Sequence, residues 1–170
     1  MKNRIRHLKK TTYKMEPTKG GLFSVRRAAA ADAEAILGLI TDLAVQHNAR
    51  DMIVYTADDL RRIGFEAEKP KFEAFVAENT DGKIIGCVVF FERFSTWKGP
   101  SIHIEDIIAI PQSRGTGVGE ALLNAVADTA RERGAERIEL DVEADNEGAI
   151  RFYKRKGFDI GGWYSGKLYL

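Results

Sequence analysis

One stretch constrains the fold more than any other: an apolar run, three closely spaced glycines, then a long amphipathic segment. Ile102 to Ile110 is rich in β-branched residues and reads as a strand that Pro111 ends. From about Gly117 to Arg133 the residues Val118, Leu122, Leu123, Val126 and Ala130 recur on one helical face. Between the two lies Arg114-Gly115-Thr116-Gly117-Val118-Gly119. Glycines that open a helix just after a strand leave backbone amides unpaired at the positive end of the helix dipole, a setting that suits a phosphate. Glycine also lets the backbone approach a ligand and take φ > 0. Two common phosphate loops do not fit. A P-loop closes on Gly-Lys-Ser/Thr, and here Glu120 and Ala121 follow Gly119. A dinucleotide fingerprint spaces its glycines G-x-G-x-x-G and needs further parallel strands; this chain reads G-x-G-x-G and only roughly 30 residues follow the next strand.

A third spacing remains, R-x-x-G-x-G, and its flanks are specific. They are Phe94-Ser95-Thr96-Trp97-Lys98-Gly99, Ile104-Glu105-Asp106-Ile107, Pro111 ahead of the loop, Asn146, and Phe152-Tyr153-Lys154-Arg155-Lys156-Gly157. Together these resemble the GNAT superfamily of N-acetyltransferases, in particular its spermidine/spermine (diamine) branch. The resemblance runs from about Phe23 to the C-terminus and is strongest over 94–119 and 146–158.

The resemblance implies an α/β (α+β) fold: a mixed, mainly antiparallel sheet of six to seven strands flanked by four helices. It implies acetyl-CoA as co-substrate and direct transfer to a primary amine of a small molecule, whether diamine, polyamine or amino-acid-like. It also implies a homodimer. The alternatives are a non-catalytic acyl-CoA-binding sensor on the same fold, or a protein or peptide N-acetyltransferase. The loop residues Arg114, Gly115, Thr116, Gly117, Val118, Gly119 and Glu120 would hold the diphosphate. Backbone atoms of Ile107, Ile108 and Ala109 would pair with the amide-bearing arm, and Asn146 would hydrogen-bond it.

Bulk properties bound the rest. At 170 residues and 44% hydrophobic, one domain with a real core is the default. A net charge of +1 argues against nucleic acid as a partner. Residues 1–19 hold seven Lys/Arg and only Glu16 as an acid, so 1–21 is expected to be a disordered basic extension and 22–170 the N-acetyltransferase domain. There is no signal-peptide core and no apolar window of about 18 residues, so no membrane span is expected. Cys87 is the single cysteine, set in an apolar run, which points to a buried thiol and a cytoplasmic home. Three scattered histidines and one cysteine speak against a metal site.

The elements read in order as a strand from Phe23, a helix from Ala30 to about His47 and a short helix opened by Thr56-Ala57-Asp58-Asp59. A hairpin of 72–78 and 83–93 follows, turning at Asp81-Gly82. Then come strand 102–110, helix 117–133, strand 137–143, helix 146–156, and short strands around 158–164 and 166–170.

An alkylamine with a pKa near 10 is protonated at pH 7 and inert, so the site must remove a proton and later protonate a leaving thiolate. Glu105 and Asp106 are the acids within the apolar strand, and charges there need a reason. Consecutive side chains point to opposite faces, so both can reach one pocket only if the strand bulges. Relatives use the carboxylate at the Glu105 position to assist deprotonation, and Asp106 would help bind the substrate. Tyr153 is the candidate general acid; it lies seven residues after Asn146, nearly two turns along one helix face. Glu139 and Asp141 would add negative potential for a cationic substrate, or are solvated edge charges. Trp97 lines a substrate or dimer surface, or packs under its loop. His103, two residues before Glu105, is either a proton relay or a hydrogen-bonded sheet histidine. Polyamine-acetylating relatives carry acids after the first helix; here the stretch is Gln46-His47-Asn48-Ala49-Arg50-Asp51, with His47 where they contact substrate.

Overall fold

The computed structural model describes residues 13–18 and 21–161. These group into two compact units, one ending at Glu139 and one beginning at Leu140. The sheet runs β1 (Tyr13–Thr18), β2 (Gly21–Arg27), β3 (Glu73–Asn79), β4 (Ile84–Ser95), β5 (Gly99–Ala109) and β6 (Arg137–Leu140), in that spatial order. Pairings from β1 to β5 are all antiparallel. The helices are α1 (Ala33–Gln46), α2 (Ala57–Leu60), α3 (Val118–Arg133) and α4 (Glu147–Arg155). The crossover through α3 returns the chain to the start of β5, where Glu136 N–H donates to Pro100 O at 2.9 Å.

Five of these strands, β2 to β6, are the ones the sequence predicts. The full expected set of six to seven is not reproduced. Residues 158–161 carry no strand, and the remainder of the two expected C-terminal strands lies outside the described residues. The sixth strand, β1, falls within the expected extension. Its alternating Tyr-Lys-Met-Glu-Pro-Thr carries a strand's period, and Pro17, which lacks an N–H, suits an edge position. Strand β6 ends at Leu140 rather than at 143, since Asp141 and Glu143 are poor strand formers.

Alternation in β3 and β4 sends two sets of side chains to opposite faces. Ala74, Val76, Cys87 and Val89 pack with Ile36 and Leu39 of α1. Phe75, Val88 and Phe90 face the other way, with the Phe75 and Phe90 rings stacked at 5.6 Å. A Cβ on Gly86 would lie 2.9 Å from Val118 and 3.3 Å from Leu122, so α3 lies on this second face, seated against bare backbone. The first helix is anchored by Asp32: its carboxylate accepts from Ala29 N–H at 2.8 Å and from both terminal nitrogens of Arg26. Burial disfavours that charge, yet the Arg26 and Ala29 hydrogen bonds hold Asp32 below the usual carboxylate range. Thr56 and Asp59 form the expected reciprocal cap of α2. That helix stays regular only to Leu60 and continues as a wider turn over Arg61–Glu66. Gly64 lies in this turn directly under the Phe72 ring.

Candidate active site

Strand β5 changes face in mid-course. Ile104 is opposite Phe90 and Asp106 is opposite Val89, so Glu105 has no opposite number on β4. This is a bulge. It puts Ile102 and Ile104 on the α3 face, and Asp106 and Ile108 on the α1 face. The bulge expected from the two adjacent acids is therefore present. Glu105 and Asp106 both line one cavity of about 270 Å³ on the α1 face, walled by Ile36, Ile40, Leu60, Phe72, Val89 and Phe91, with Lys71 as its cation. Burial in these apolar walls, and then the charge of Glu105, push Asp106 up to about 6. Glu105 is the more exposed partner, its side chain 61% accessible. Cys87 is fully buried; burial first and the nearby Asp106 charge second push its thiol up to about 12, so it is no nucleophile.

The glycine loop follows β5 directly. Gly115 (φ 74°) and Gly117 (φ 95°) are both left-handed, which any other residue resists. Gly117 is the N-cap of α3 and supplies no side-chain cap, so no protein oxygen from that residue covers the first-turn amides. A Cβ on Gly115 would meet open space. Val118, fully buried, fixes the helix start. Arg114 ties the loop down: Nε donates to Ala109 O at 3.4 Å and Nη2 to Gln46 Oε1, at the end of α1, at 2.8 Å. Thr116 Oγ1 donates to Ser113 O at 2.7 Å. Glu120 lies exposed in the first turn of α3. On β5, Ile107, Ile108 and Ala109 pair with Val88, Cys87 and Gly86 of β4. The four residues of β6, anchored at the Gly99 end, span about 13 Å and stop short of 107–109 on the far edge. An uncapped helix start beside an open strand edge fits a ligand with both a diphosphate and amides.

In the unit that begins at Leu140, Tyr153 is buried at 7% exposure. Its ring lies 5.3 Å from Phe152 and 5.5 Å from Phe158. Asn146 caps α4, its Oδ1 accepting from Ala149 N–H at 3.1 Å. Asp141 is exposed beyond the end of β6.

Other candidates fall elsewhere. His47 is the exposed C-cap of α1 and does not line the carboxylate cavity. Trp97 stands 85% exposed in the β4–β5 turn. Glu139 accepts from Ser101 Oγ at 2.9 Å and Arg137 Nε at 3.0 Å; against some burial, these bonds and the charges of Arg137 and Arg93 hold it below its usual range. The cavity walls Lys71, Phe72, Phe91 and Leu60 carry no motif; only tertiary pairing reveals them, although Ile36 and Ile40 stand in the predicted α1 stripe. Among the described residues there is no His/Cys/Asp/Glu cluster suited to a metal and no helix long and apolar enough to cross a membrane.

A bulged carboxylate-bearing strand feeding a glycine-opened helix defines an acyl-transfer enzyme. The chain belongs to the acetyltransferase (GNAT) family, whose model matches residues 33–158. It is 33% identical over 140 residues to thialysine N-epsilon-acetyltransferase from Bos taurus, covering 78% of this chain and 82% of that protein. It is 32% identical over 164 residues to streptothricin acetyltransferase from Streptomyces lavendulae, covering 85% of each. A crystal structure of an aminoglycoside acetyltransferase from an uncultured soil metagenomic sample, in complex with trehalose, matches 87% of this chain and 95% of its own. The TM-score is 0.71 at 18% identity, a likeness of fold.

Proposed function

We propose that this N-acetyltransferase moves the acetyl group of acetyl-CoA directly to a primary amine on a small molecule, and that it does so as a cytoplasmic homodimer whose catalytic domain spans 22–170. The observation that carries the reading is the bulge, since it is the reason two adjacent carboxylates share one apolar cavity. Acetyl-CoA supplies an activated acyl thioester. The loop amides of 115–120 hold its diphosphate, and the open edge of Ile107–Ala109, with the Asn146 amide, receives its arm. Glu105 meets the incoming ammonium. Asp106, held near 6, is the better proton acceptor of the pair: it is ionised at pH 7, yet far more basic than an ordinary Asp. Tyr153 Oη carries the proton for the leaving group.

The relatives named above act on thialysine and streptothricin, and the cavity supports an acceptor of the amino-acid kind. Lys71 at the rim would attract a carboxylate and repel the second ammonium of a polyamine. Glu139 and Asp141 would contribute only a diffuse negative field, and His47 and Trp97 only outer contacts.

Two measurements test this. Acetyl-CoA titrated into the protein should give binding heat. CoA release should then appear with lysine-like amines ahead of spermidine. Tight acetyl-CoA binding with no turnover on any amine would instead mark a sensor.

A further inference from the structure

We infer that His103 is a positioning residue: its Nε2 bears the ring's single N–H and holds the Glu105 carboxylate at the cavity. This rests on the reaction proposed above.

His103 is 8% exposed and lies opposite Phe91 across β4 and β5, with ring centroids 5.1 Å apart. Its Nε2 is 3.9 Å from Glu105 Oε2. Its Nδ1 is buried with no hydrogen-bond partner among the described residues. A neutral imidazole carries one N–H and one bare nitrogen. A hydrogen on Nδ1 would be an orphaned buried donor and would turn the Nε2 lone pair toward an anion. A hydrogen on Nε2 faces the carboxylate and leaves only a bare acceptor buried. The surroundings therefore select the Nε2–H tautomer. A proton relay through the ring would need a partner at Nδ1, and there is none, so the ring orients rather than shuttles.

Glu105 needs such a hold. As the bulged residue it has no cross-strand neighbour to fix its direction. Asp106 repels it, which favours rotation into solvent. A rotamer adjustment of about 1 Å brings Oε2 within hydrogen-bond distance of Nε2. Lys71 is the other charged group lining the cavity.

The test is a double-mutant cycle on the full chain, reading CoA release with acetyl-CoA and an amine that the parent acetylates. His103→Phe should lower kcat/KM for the amine about 10-fold, mostly through KM, with KM for acetyl-CoA unmoved. In the Glu105→Gln background the same change should cost under about 2-fold, because the pair acts as a unit. His103→Gln puts an amide N–H near the Nε2 position and should keep activity within about 3-fold, whereas His103→Asn, whose amide stops near Nδ1, should not. If thermal melts show that the Phe variant does not fold, the Gln–Asn comparison decides alone. Equal losses in both backgrounds, or equal behaviour of Gln and Asn, overturn the assignment. A parent that acetylates no amine overturns the proposed reaction itself, and this inference with it.

Discussion

Glu105 and Asp106 are neighbours in the chain and line one cavity, although a regular strand would send them to opposite faces. The unpaired Glu105 is the extra residue that turns β5 over, so the acid after it lands among apolar walls.

That environment ties activity to stability. The folded-state carboxyl of Asp106 titrates above its unfolded value near 4, so the unfolded chain releases this proton first. Stability is thus lost as pH rises from about 4 to about 6 and stays lost above that. Asp106→Asn should raise stability by about 1–2 kcal/mol at pH 7.5, with no gain at pH 4 or below, while lowering turnover about 10²-fold. Urea melts at the two pH values and CoA-release rates check both; an equal effect at both pH values would refute the buried charge.

Opposite linkage governs Asp32 and Glu73. Burial opposes each charge, but Arg26 with Ala29, and Arg133 with Arg27, hold the two below their usual range. Their contribution is present above about pH 4 and is lost as pH falls through the lowered folded values. Arg26→Met should flatten the acid limb of the stability curve; an acid limb as steep as the parent's would remove Asp32 from the account.

Lys71→Glu should reverse acceptor preference, raising kcat/KM for spermidine relative to lysine-like amines by about 10-fold, since one rim charge changes sign. An unchanged ratio over an amine panel would show that Lys71 does not meet the acceptor.

Gly117→Ala forces an L side chain into φ 95°, at a cost of about 1–2 kcal/mol. It should weaken acetyl-CoA binding by calorimetry without changing KM for the amine. Affinity equal to the parent's would show that the loop does not grip the diphosphate.

Tyr153→Phe keeps the ring between Phe152 and Phe158, so the fold should survive. Turnover should fall about 10²-fold with acetyl-CoA affinity nearly unchanged; full turnover would end its role as acid.

Local chemistry was readable wherever neighbours in sequence settle it. The Thr56–Asp59 cap, the Asp81-Gly82 turn, and the bounds of α3, from Gly117 to Gly134, follow from residues a few positions apart. The apolar stripes of α1 and α3 were equally legible. Residues paired across the chain were not. Lys71 and Phe72 reach the cavity because β3 lies beside β4, and Gly64 matters only because Phe72 folds over it. The sequence pattern ran β6 too far and passed over β1, since charge and edge position, rather than periodicity, set where those strands begin and end.

The sequence by itself determined the order of elements, a strand carrying two acids, and a glycine loop able to take φ > 0, because these depend on backbone preference and short-range periodicity. The tertiary structure alone decided that Glu105 is the bulged residue, that Asp106 faces an apolar cavity and is pushed toward neutrality, and that His103 is left with one buried nitrogen and one facing Glu105. Those properties come from register with β4 and from burial under α1, and a chain acquires both only when distant segments meet.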